Sequence, residues 1–383
     1  RLRVRSRRLA RGVGSSRARS DGVSSTGFDR VWGRGLGGDH YRAGMPSWLA
    51  RVLAALVAVG LVAGAFVARG AISGDDEVSA GGSGGGSGGS SDGDRRVLCD
   101  ADLGEDVCDA LAAEDGVDEV VVASLGEVLD AAASPPGEGE LDLTTVDAWL
   151  TLDPMPEVLD VARRTASQPM LAISEAVPVA SSPLVVLTFP DSELPCVDGP
   201  TADWSCLTEE LRTGVAVPSG STSLGTIVVG AAGAALADDS SGPDVGIGAF
   251  QGTEEGDLLR ALVERSPAAA GSTSADQASA MTRPGTASGA VTVDALGSAT
   301  AATSAGQGRG LTTIPVEPAV TVGVVVVGFG EGGSDVAADL AVTATGDDGV
   351  AEALVDAGWE LGTARSEGLL APDVVYALRE EVA

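Results

Sequence analysis

From Val52 to Ala68 the chain runs VLAALVAVGLVAGAFVA, 17 residues without a charge, and the charges on its two sides have opposite signs. Residues 1–51 hold 12 arginines against three aspartates, whereas from Val97 onward nine arginines face 47 acidic residues. A basic head, an apolar run and an acidic body in that order describe a membrane topology with the arginine-rich end inside. At about 1.5 Å per residue the run reaches about 25 Å, near the lower limit for a bilayer span. Trp48 and Arg51 precede it and Arg69 follows, so residues 45–69 are expected to form a single transmembrane anchor. A cleaved signal peptide is the competing reading, because Ala63-Gly64-Ala65 resembles a cleavage site. The retained anchor is preferred because a tether follows it: Gly81–Ser91 is all Gly and Ser, within a flexible linker over 70–96. Residues 1–44, rich in Arg, Ser and Gly, are expected to be a disordered basic cytoplasmic tail. The expected location is the cell membrane, single-pass, with the C-terminal domain extracytoplasmic.

Composition then removes whole classes of chemistry. All 24 basic residues are arginine, no lysine occurs, and His40 is the only histidine. Lysine Schiff bases, Walker-A phosphate binding and Ser-Lys catalysis are excluded. Beyond residue 40 there is no imidazole for a Ser-His-Asp triad, a Cys-His pair or a His-ligated zinc. A G-x-S-x-G match at Gly85–Gly89 falls inside the linker, without the strand and helix that a nucleophile elbow needs. The body is therefore read as a non-enzyme without a cofactor. Its acidity also excludes nucleic acid as a partner, since its field repels phosphate.

Four cysteines fall in two local pairs, Cys99/Cys108 and Cys196/Cys206. Three pairings are possible, and in an exported chain the local one is expected, with two disulfides closing loops of about ten residues. Four thiolates on a metal are the rival, disfavoured because neither pair has the C-x₂-C spacing.

Strand and helix signals alternate through the body. Val97–Cys99, Glu119–Ala123, Val146–Leu150, Pro183–Phe189, Val215–Val217, Ala290–Val293 and Thr321–Val327 read as strands. Helices are expected near Glu105–Glu114, Leu125–Ala133, Pro156–Thr165, Ser223–Ala237, Asp257–Glu264, Ser334–Val342, Val350–Ala357 and Pro372–Val382. Continuous apolar strands between helices predict an α/β fold whose sheet is parallel and covered on both faces.

The order of these motifs resembles the extracytoplasmic solute-binding proteins of the type 2 periplasmic-binding-protein fold, over about Val97–Ala383. The segments carrying the likeness are Asp147-Ala-Trp-Leu150, Ser182-Pro-Leu-Val-Val-Leu187, Gly214-Val-Ala-Val-Pro-Ser-Gly-Ser-Thr-Ser223, Ala319–Val327 and Val350-Ala-Glu-Ala-Leu-Val-Asp-Ala-Gly-Trp359. It is most similar to membrane-tethered members from high-GC bacteria. The resemblance implies one lobe from 97–183 plus 319–383, a second from 184–318, and a small solute bound between them. It also implies a membrane permease or sensor subunit as partner. A ligand-free structural or interaction module of the cell envelope with the same fold is the alternative.

Thr321–Val327 followed by Gly328-Phe-Gly330-Glu-Gly-Gly333 is formally a dinucleotide-binding fingerprint. It is set aside because the second strand is absent: Thr343–Asp348 reads as a turn. The better candidate is Pro218-Ser-Gly-Ser-Thr-Ser223, where hydroxyls and free N–H groups converge at a helix N-terminus. Ser219, Ser221, Thr222 and Ser223 are the expected ligand contacts there, with an ordinary N-cap as the plain alternative. Across the cleft the candidates are Asp100, Asp102, Ser124, Trp149 and Asp153, with Trp149 equally suited to a core and the two acids to a helix cap.

Overall fold

The computed structural model describes residues 95–190, 197–198, 200–204, 207, 215–237, 245–265, 281, 291–304, 310–346 and 349–382. The anchor, the tail, most of the linker, and Cys196 and Cys206 lie outside the described residues. Among those residues no helix is long and apolar enough to cross a membrane.

The chain enters with β1 (Arg95–Asp100), a 3-10 turn (Ala101–Leu103) and α1 (Glu105–Ala112), then β2 (Val117–Ala123) and α2 (Leu125–Ala133). β3 (Ala148–Leu152) and α3 (Met155–Thr165) follow. β1 is parallel to both β2 and β3. This three-stranded part matches the β-α alternation expected from sequence, with short crossovers supplied by helices.

The rest departs from an all-parallel sheet. β4 (Val177–Thr188) is 12 residues long, and its two halves have different neighbours. Its first half pairs antiparallel with β10 (Thr321–Gly328) at Val177–Pro183, and its second with β8 (Val291–Ala295) and β9 (Thr312–Glu317) at Leu184–Thr188. β10 also pairs antiparallel with β3. The sheet is therefore mixed, a correction to the parallel reading. Apolar runs such as TVGVVVVG are buried on both faces in either orientation, so burial in the sequence did not report strand direction.

Between β4 and β8 lie β5 (Val197–Asp198), β6 (Thr201–Asp203), β7 (Val215–Ala216), α4 (Ser223–Leu236) and α5 (Glu254–Arg265), with α6 (Leu296–Ser304) after β8. After β10 come α7 (Gly333–Ala344), α8 (Val350–Asp356), β11 (Glu360–Leu361) and α9 (Pro372–Val382). β11 returns to pair with β4. The short strands β5, β6, β9 and β11 carry too few apolar residues to stand out in the sequence.

Several amides of the fingerprint loop are already engaged and do not face a pyrophosphate. Gly330 N–H donates to the Ala172 carbonyl (2.8 Å) and Gly328 N–H to Ser174 Oγ (2.9 Å). α7 then leads into α8 rather than into a strand beside β10.

The larger of two apolar clusters among the described residues runs from Val97 to Leu378 and includes both sheet regions and α4, while Val185, Leu187 and Ala299 form a smaller one. α4 is buried along Ser223–Gly233. It is covered by α9, where a side chain at Gly230 or Gly233 would press on Val375, Leu370 and Leu378.

Candidate functional site

The N-terminus of α4 faces the end of β1, and the contact is direct. Thr222 caps the helix: its Oγ1 accepts from Gly225 N–H (3.0 Å) and donates to the Ser219 carbonyl (2.8 Å). Gly225 is required by this fold-back, since a Cβ there would lie 2.0 Å from the Ser219 carbonyl oxygen. Ser219 and Ser221 pair through their hydroxyls (2.8 Å), both half-buried. Ser223 reaches across, donating from Oγ to Asp100 Oδ2 at 2.5 Å. Leu224 N–H, a first-turn amide without an intrahelical partner, donates to Asp102 Oδ2 at 2.7 Å.

On the other side, β1 ends at Asp100, which caps the 3-10 turn by accepting from Asp102 N–H (3.1 Å). Thr151 of β3 adds a hydroxyl donor to Asp100 Oδ2 (2.7 Å). Asp100 and Asp102 are 1% and 6% exposed. Asp102 Oδ1 is buried with no hydrogen-bond partner. Burial pushes the Asp100 carboxyl upward against the pull of its hydroxyl and amide donors. Burial, then the charge of Asp100, push Asp102 up to about 7. The disulfide Cys99–Cys108 flanks both acids. A third contact joins the same surfaces: Gly126 N–H at the start of α2 donates to the Ser221 carbonyl (2.8 Å). A Cβ on Gly126 would sit 3.2 Å from Ser221 Cβ, so the approach is close.

The structure thus brings Asp100, Asp102 and Ser223 into one buried network, with Ser219, Ser221 and Thr222 building the turn beside it. Ser124 instead closes a capping box with Glu127 at the start of α2. Trp149 is fully buried in the core. Asp153 is buried against Arg365 Nη2 (2.5 Å) and Ser366 N–H (2.7 Å) at the end of β3. Thr151, Gly126, Arg365 and Arg379 (Nε to the Gly220 carbonyl, 2.8 Å) were not singled out from sequence. Thr151 carried a signal, as the one polar residue within AWLTL. The others are known only through their partners. Among the described residues no three His, Cys, Asp or Glu side chains converge as metal ligands.

A concavity of about 560 Å³ opens between α3, the 247–251 turn and α9, walled by Val161, Ile247, Tyr376 and Ala377. It is broad-mouthed and lies apart from the acid network.

No protein-family profile and no curated protein sequence matches the chain. Solved structures with a similar fold include a periplasmic thiamin-binding protein (12% identity, 75% of this chain and 93% of that one, TM-score 0.46). A Trichodesmium protein in complex with iron and citrate has 10% identity over 76% of this chain and 97% of its own, TM-score 0.44. The sulfate-binding protein SubI of Mycobacterium tuberculosis has 14% identity over 76% and 91%, TM-score 0.40.

Proposed function

We propose that residues 97–383 are a two-lobed, extracytoplasmic small-solute-binding domain of the type 2 periplasmic-binding-protein kind, held at a membrane by the 45–69 segment. The lobes are 97–183 plus 319–383 and 184–318. The carrying observation is the polar seam at which Asp100 and Asp102 from the first lobe meet the α4 N-terminus from the second. The topology supports this reading, because the chain passes between the two regions only along extended backbone there: once inside β4, and once between β9 and β10. Such crossings let packed units rotate about a hinge. The solute would compete for the groups that now satisfy one another, and a membrane permease or sensor subunit would read closure.

A second reading, a ligand-free module of the cell envelope, is favoured by one observation: α4 is buried along Ser223–Gly233 within a core continuous with that of the first lobe. Native mass spectrometry of the full chain released from detergent separates the two. A co-purifying small molecule, lost in a Ser223→Ala variant, supports the binding domain. A ligand-free spectrum that stays unchanged across a panel of small solutes supports the module.

A further inference from the structure

We infer that Asp100 and Asp102 form a proton-operated latch: the seam between β1 and α4 is closed while the pair holds a proton and opens when both carboxylates are ionised. This rests on reading the seam as the place where the lobes part. Every donor that reaches the pair is neutral. Asp100 takes the Ser223 and Thr151 hydroxyls and the Asp102 amide, with the Leu152 amide also bearing on it; Asp102 Oδ2 takes the Leu224 amide, with the Ser223 amide and the Thr222 hydroxyl also bearing on this carboxyl. The donors of Thr222, Ser223 and Leu224 come from the far side of the seam.

Among the described residues, the surrounding elements offer no compensating cation. β3 and α4 carry no titratable group at all. On α1, Glu105 and Asp106 are exposed and negative. On α2, Glu127 is turned back onto Ser124. Arg95 and Arg96 sit at the opposite end of β1, engaged with Asp339 and Glu119. Arg379 of α9, which among the described arginines contacts the α4 turn, spends its guanidinium on the Gly220 carbonyl and Glu380. Two like charges this deeply buried cannot both ionise without cost, so one proton stays with the pair until the seam admits water. Burial raises both carboxyls, and the charge of Asp100 adds to it at Asp102, which is pushed up to about 7 and puts this exchange near neutrality.

The test is hydrogen exchange of the full chain without ligand between pH 5.5 and 8.5, corrected for base catalysis. The Leu224 and Gly126 amides both donate across the seam; Val324–Val326 in β10 report the hinge core. We expect protection at Leu224 and Gly126 to fall at least tenfold as pH rises through about 7, with Val324–Val326 unchanged. In Asp102→Asn the fall should be less than twofold, and Asp100→Asn should behave likewise. Protection independent of pH in the unmodified chain, or a fall shared equally by β10, overturns the latch. Since no ligand is used, a pH-independent seam removes the latch alone, while failure to find any ligand removes the binding function alone.

Discussion

At the end of β3, Asp153 is buried against a guanidinium; at the end of the adjacent β1, Asp100 and Asp102 are buried against hydroxyls and amides only. Both sites lie where a strand gives way to a helix, and both tie distant parts of the chain together. At Asp153 the partner segment is Arg365–Ser366, which also binds Gly323 of β10 through Ser366 Oγ (2.9 Å). Desolvation works against the Arg365 charge, but the bond and charge of Asp153, together with Glu157, outweigh it and push the guanidinium upward. The result is a permanent clasp. At Asp100 and Asp102 only neutral donors oppose the desolvation and they do not outweigh it, so the closed seam depends on protons. The difference teaches that burial alone does not decide what a carboxylate does here; the charge of its partner does.

The largest expected effect tests the unpaired site. The folded state raises Asp102 from 3.8 to about 7. The folded chain therefore holds a proton that the unfolded chain releases over that interval. Stability from this group is complete below about pH 4 and is lost as pH rises to about 7. Three units set an upper bound of about 4 kcal/mol. Urea unfolding at pH 5 and pH 8 should show Asp102→Asn gaining stability over the unmodified chain as pH rises; a pH-independent difference would break the comparison.

Next is the paired site. Arg365→Met leaves Asp153 buried with only the Ser366 amide, and should cost about 2–3 kcal/mol at pH 7, discounted because Arg365 is itself half-exposed. If unfolding free energies show less than 1 kcal/mol, the clasp is not a stabilising element.

Smaller effects sharpen the seam. Ser223→Ala removes a donor to Asp100 that Thr151 only partly replaces, and should cost about 1–2 kcal/mol. The Ser221 hydroxyl meets only Ser219, so Ser221→Ala should change stability by less than about 0.5 kcal/mol. Equal losses in the two variants would mean that Ser223 owes nothing to its contact with Asp100.

Much of the first half of the body was legible in the sequence. α2 appears over the expected residues, Leu125–Ala133, because Leu125, Val128 and Leu129 mark its buried face, while Ser124, expected as a ligand contact, closes a capping box with Glu127 instead. The Cys99–Cys108 bond follows from close spacing in a short loop. β4 was not legible in full. Its opening residues, Val177–Ser182, lack a continuous apolar run, so only Pro183 onward stood out, although the strand starts six residues earlier. At the site, the sequence pointed to Ser221 and Thr222 as equals of Ser223, since a run of hydroxyls at a helix start does not say which one faces outward. Thr222 became the cap and Ser223, one position on, the bridge.

What the sequence by itself determined is the local alphabet: which segments are helices and apolar strands, where hydroxyls meet a helix start, and which acids follow β1. These depend on periodicity and capping over a few residues, and those forces act within the segment. What only the tertiary structure decided is who stands opposite whom. The antiparallel insertion of β10 between β3 and β4, the hydroxyl of Thr151 beneath Asp100, and Arg365 beside Asp153 join residues 51 to more than 200 positions apart. Such pairings are selected by the desolvation cost of leaving a buried group unpaired, and that cost exists only once the chain has closed around it.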